Sequence, residues 1–200
     1  AKQKNKDCNG SLCENAAIQQ QAVDIALSGS DKGDSYSAEV EQEAQQKNKD
    51  CDDSFCENNV VQIQTASISG DTEDSSYSVE QEAIQDNIGC SEQSTCINTL
   101  QQTQDVTDPT SDVKQSATQK NIGCIDSTCT NNLVQTDPNA QQKQFNIGCI
   151  DSTCVNPSGS GNYYNIGCIN TTLCDSSASS SAETDSNHYN IGCIHDFCAY

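Results

Sequence analysis

The stretch Asn121-Ile122-Gly123-Cys124-Ile125-Asp126-Ser127-Thr128-Cys129-Thr130-Asn131 decides how the chain is read. Gly-Cys-Ile-Asp-Ser-Thr-Cys returns at 148–154, and Asn-Ile-Gly-Cys occurs five times. Working outward, the fourteen cysteines fall into seven pairs with four or five residues between them. The pairs are Cys8/Cys13, Cys51/Cys56, Cys90/Cys96, Cys124/Cys129, Cys149/Cys154, Cys168/Cys174 and Cys193/Cys198. Three residues before each first cysteine stands an asparagine: Asn5, Asn48, Asn87, Asn121, Asn146, Asn165 and Asn190. Internal repetition is the organising fact of the chain.

The flanks repeat with period two. Five residues before the first cysteine come Gln3, Gln46, Gln85, Gln119 and Gln144, and seven before come Ala1, Ala44, Ala83 and Ala117. After the second cysteine, position +2 holds Asn15, Asn58, Asn98, Asn131 and Asn156. Position +4 holds Ala17, Val60, Leu100 and Leu133, and position +6 holds Gln19, Gln62, Gln102 and Gln135. A period of two places each set on one face of an extended strand, so both flanks are expected to be β-strands. Between them lie segments with turn chemistry: 28–34, 69–74, 107–110, 137–139, 157–161 and 176–181. Each unit is then a Cys loop, an outgoing strand, a turn and a returning strand. The residues between successive pairs number 37, 33, 27, 19, 13 and 18, so the arms shorten toward the C-terminus.

Two all-β architectures fit a single repeat domain over residues 1–200. One is an antiparallel β-meander. The other is a tapered, solenoid-like stack of β-arches with the Cys loops at one end of every arm. Only the stack sets equivalent residues above one another at about 4.8 Å, where identical side-chain amides can hydrogen-bond along the pile. That gives a reason to hold Asn and Gln at fixed positions, so the stack is the expected fold. The expected ladder is Asn5, Asn48, Asn87, Asn121, Asn146, Asn165 and Asn190, with Gln46, Gln85, Gln119 and Gln144 beside it.

Composition asks for such a device. Val, Ile, Leu and Phe make up 16% of the chain and the formal net charge is −20, too little apolar surface for an ordinary core. Paired, evenly counted cysteines read as a disulfide framework formed in an oxidising compartment. Bonding within a pair closes a small loop worth about 2 kcal/mol in the loop-entropy model. Bonds between stacked repeats or between chains also suit a 4.8 Å spacing. Zinc is a rival use of the cysteines, but structural zinc favours Cys-x2-Cys pairs with histidine help, and the gaps here are longer. The start at Ala1 suggests a removed signal peptide. Asn9-Gly10-Ser11 and Asn170-Thr171-Thr172 are glycosylation sequons that fit export.

No catalytic, cofactor or metal site is expected. His188 and His195 are the two histidines, and His195-Asp196 reads as a solvated pair within the last loop. No triad order, phosphate loop or HExxH-type motif occurs. The acidic segments Asp31/Asp34 and Asp71/Glu73/Asp74 lack calcium-loop spacing, which leaves weak divalent-cation screening of a very acidic chain. With no Arg and scattered Lys, nucleic acid is not an expected partner, and no apolar run suits a membrane span.

Residues 1–7 form a returning strand with no outgoing strand before it, and Ala199-Tyr200 stop where an outgoing strand should begin. Open β-edges of that kind suggest self-association into rings or filaments. The Asn-x-x-Cys corners, loops such as Cys124–Cys129 and the Cys-x-Asn step after them resemble secreted cysteine-rich archaeal surface and sheath proteins, the methanogen cell sheath most of all. The resemblance implies a subunit of an amyloid-like tubular sheath or fibre around a cell. The second expectation is a cell-surface adhesin that displays variable acidic arm tips.

Overall fold

The computed structural model describes residues 1–26, 37–69, 76–107, 112–136, 141–156, 162–170, 173–175, 187–192 and 198–199. The described part is all-β. Returning strands β1 (Lys2–Asn5), β3 (Ser37–Lys49), β5 (Ser76–Ile88), β7 (Asp112–Ile122), β9 (Gln141–Ile147), β11 (Asn162–Ile166) and β13 (Asn187–Ile191) form one parallel sheet in that order. Outgoing strands β2 (Leu12–Ala26), β4 (Phe55–Ser69), β6 (Thr95–Val106), β8 (Thr128–Gln135), β10 (Thr153–Val155), β12 (Leu173–Asp175) and β14 (Cys198–Ala199) form the other. We call these sheet I and sheet II. Consecutive strands in the chain never pair, so the fold is the arch stack and not the meander.

Register follows the count from the cysteines. Asn5 pairs with Asn48, Asn48 with Asn87, and the row continues through Asn121, Asn146 and Asn165 to Asn190. On sheet II, Cys13, Cys56, Cys96, Cys129, Cys154, Cys174 and Cys198 form a matching row. The taper is real: β2 and β4 have 15 residues each, β8 has eight and β10 three.

The space between the sheets is striped. Buried cysteines fill the corner end, then come asparagines and a first glutamine row. An aliphatic column of Ala44, Val60, Ala83, Leu100, Ala117 and Leu133 follows, and a second of Val40, Ala66 and Val79 lies farther out. Between the aliphatic columns lies another belt of buried glutamines, Gln62, Gln81 and Gln102 among them. Most of the turn residues named from the sequence lie outside the described residues, as do Cys193, His195, Asp196, the Asp31/Asp34 and Asp71/Glu73/Asp74 groups, and any bond of Cys193 to Cys198.

Candidate functional site: the stacked corner and its amide ladders

Each corner begins with a backbone that L-residues rarely adopt. The residue before the first cysteine has positive φ in every layer: Asp7 and Asp50 at 57°, and glycines 89, 123, 148, 167 and 192 between 77° and 80°. Glycine and aspartate are suited to this left-handed region. A second positive φ inside the loop, at Gly10, Asp53, Glu92, Asp126, Asp151 and Asn170, with Gln93 beside Glu92 in the longer third loop, returns the chain to sheet II. The glycines stack as well, since a Cβ on Gly123 would lie 3.5 Å from the Gly89 Cα.

Six disulfides close the described corners: Cys8–Cys13, Cys51–Cys56, Cys90–Cys96, Cys124–Cys129, Cys149–Cys154 and Cys168–Cys174, with Cα separations of 5.9–6.5 Å. They pile into one column. The sulfurs of Cys8, Cys51 and Cys56 lie within 4.8 Å of one another, as do those of Cys124, Cys149 and Cys154 and of Cys149, Cys168 and Cys174. Disulfide bonding occupies the thiolates that zinc would need. A serine two residues before the second cysteine (Ser54, Ser94, Ser127 and Ser152, all buried) sets its hydroxyl against that sulfur at 3.5–4.0 Å. The sequence carries a signal for this row that counting from the first cysteine misses: serine stands two before the second cysteine in the first five pairs, with Thr172 and Asp196 in the last two. Such a framework belongs to an oxidising environment.

Next to the sulfurs, two asparagine rows interlock. On sheet I each Nδ2 donates to the Oδ1 one layer on, from Asn5 to Asn48 and so to Asn190, at 3.0–3.1 Å. On sheet II the steps from Asn15 through Asn58, Asn98 and Asn131 to Asn156 are all 2.9 Å. Bonds also cross between sheets: Asn48 donates to Asn58, Asn58 to Asn87 and Asn87 to Asn98. Burying so many amides is favourable only because each finds partners, and chained amides polarise one another.

The glutamine rows run the other way. Gln46 donates to Gln3, Gln85 to Gln46, Gln119 to Gln85 and Gln144 to Gln119, at 2.7–3.1 Å. Gln62, Gln102 and Gln135 likewise each donate to the preceding layer's glutamine, from Gln19 on. The asparagine donors therefore point toward the last layer and the glutamine donors toward the first. Where the taper or a different residue ends a row, an acceptor is left over: Gln104, Gln135 and Gln144 each have a buried Oε1 without a partner. In the Gln144 row the next position is Tyr163. Its hydroxyl donates instead to Gln142 at 2.9 Å, and burial pushes the phenol pKa well up.

The two sequon asparagines, Asn9 and Asn170, are exposed on the corner loops. Among the described residues the lysines lie on the strands of sheet I, apart from Lys6, which directly follows β1. There, Lys6 first and then Lys49 and Lys47 hold the Lys4 ammonium below its usual pKa, while a hydrogen bond from Lys114 to Asp112 raises that of Lys114. Among the described residues no helix is long and apolar enough to cross a membrane. Scans against protein-family models, curated proteins and solved structures return no match.

Proposed function

We propose that this chain is a structural subunit of an extracellular filament or sheath, which grows by adding arch on arch from one molecule to the next and is hardened by disulfides. The observation that carries the reading is that all seven described layers share a parallel in-register backbone, a row of cysteines and the sheet I asparagine row with its fixed donor direction, and the first five add a sheet II asparagine row and a sheet I glutamine row. A layer of a second copy can therefore extend both sheets by the bonds that hold the layers of one copy together. Head-to-tail addition is heterologous and generates rings or filaments. The resemblance to archaeal sheath proteins points the same way.

The test is negative-stain electron microscopy and sedimentation of native material, with and without reductant. Ordered fibres or tubes that resist detergent when oxidised are expected. Strictly monomeric material under all conditions would overturn the reading and favour the adhesin.

A further inference from the structure

The outer faces of the two sheets differ in charge. The described lysines belong to sheet I or, for Lys6, to the residue just after its first strand, and near the corner they form a strip in the first two layers: Lys4 and Lys6, then Lys47 and Lys49. Sheet II exposes no lysine among the described residues, and in the same two layers it presents Glu14 and Glu57. On a chain of net charge −20, a basic strip is a local exception. Lys6, Lys49 and Lys47 all lower the Lys4 pKa, and within the face only Lys47 of these four has an acidic partner among the described residues, Asp86 of the third layer at 3.5 Å.

Hydrogen bonds across the core fix the relative depth of the two faces. Asn5 Nδ2 donates to the Glu14 carbonyl at 3.0 Å, and Asn48 Nδ2 to the Glu57 carbonyl at 3.1 Å. The glutamates thus stand at the depth of Asn5 and Asn48, which lie between Lys4 and Lys6 and between Lys47 and Lys49. Slide a second copy sideways in the same orientation, to the ~10 Å spacing of packed sheets. Glu14 then enters the gap between Lys4 and Lys6, and Glu57 the gap between Lys47 and Lys49. The same shift sets Val155 against Phe145 and Ile147 in the fifth layer. Acid meets base in the first two layers and apolar meets apolar in the fifth, while the third sets Ile97 against Asp86 and Ile88 and the sixth sets Asp175 against Tyr164 and Ile166, so the complementarity belongs to layers one, two and five. Farther from the corner, the acids Glu41, Glu43, Glu80 and Glu82 find no lysine on sheet II, so the contact is confined to the corner end.

We propose that the outer face of sheet I is a docking surface for the outer face of sheet II of a second copy of this chain, laid alongside in the same orientation. Stacks then associate side by side, in addition to any growth along the stacking axis.

Two charge-reversed variants and their combination test this. Lys6→Glu with Lys49→Glu cancels the strip's net positive charge and sets an acid beside each facing glutamate, and Glu14→Lys with Glu57→Lys makes both faces basic there. Lateral association, read by light scattering at low salt and by the width of assemblies in electron micrographs, should weaken about a hundredfold in either variant alone. It should return when the two are mixed, and in the variant carrying all four changes. Circular dichroism checks the strand content of each. Association unchanged by single-face reversal would overturn the proposal, as would failure of both the mixture and the fourfold variant to recover it. Long assemblies one stack wide in the parent would also overturn it, while leaving the axial reading intact. Side-by-side pairs that never lengthen would support lateral docking and remove the axial reading.

Discussion

At the residue scale, the chain uses one side chain for opposite purposes depending on which way it faces. Asn131 and Asn132 are neighbours on β8. Asn131 is buried and donates to the Phe145 carbonyl and to Asn146 and Asn156, while Asn98 and Asn121 donate to it. Asn132 faces outward and is half-buried. Asn131→Ala should therefore cost about 3 kcal/mol, because buried partners in three layers lose a bond. Asn132→Ala should stay within about 0.5 kcal/mol, and denaturant unfolding of the two variants checks the contrast. Tyr163 supplies a pH test. Its buried hydroxyl holds the folded pKa above the unfolded value of about 10, so its stabilising effect is complete below pH ~10 and declines as pH rises beyond it. Tyr163→Phe should flatten that alkaline decline in a series of thermal melts from pH 8 to 11.

At the element scale, the unit is the corner plus the first few residues of each arm. Gly123 has a φ of 80°, so Gly123→Ala should destabilise by about 1–2 kcal/mol, read from the denaturant midpoint. Aspartate at this site, as at position 50, should cost less than alanine, because it tolerates the left-handed region better. Much of this is legible in the sequence. Counting outward from each cysteine gives strand faces and register, because a two-residue period counted from both sides of a loop of four or five residues leaves one consistent way to stack seven units. The favoured arch stack follows from the recurrence of Asn and Gln, which only vertical neighbours can explain. The opposed donor directions of the asparagine and glutamine rows were not legible, since amide orientation depends on which carbonyl each side chain reaches. Nor was the end of one glutamine row at Tyr163, where the hydroxyl turns to Gln142. The buried serines beside the sulfurs were within reach of the same counting.

At the scale of the whole molecule, the apolar deficit is met by amide rows and covalent corners rather than by a larger core. Reduction should lower stability by about 2 kcal/mol for each small loop opened, in the loop-entropy model. Titrating reductant against protease resistance should then show graded loss, because each layer is held by its own disulfide and by rows shared with its neighbours. The proposed polymer requires stacking to pass from one molecule to the next, and fibre diffraction from aligned native assemblies can detect it. Continued stacking predicts a reflection near 4.8 Å along the fibre axis and an axial repeat of about 34 Å per chain, from seven layers at that spacing. Strands running along the fibre axis, or no axial 4.8 Å reflection from well-aligned material, would contradict it.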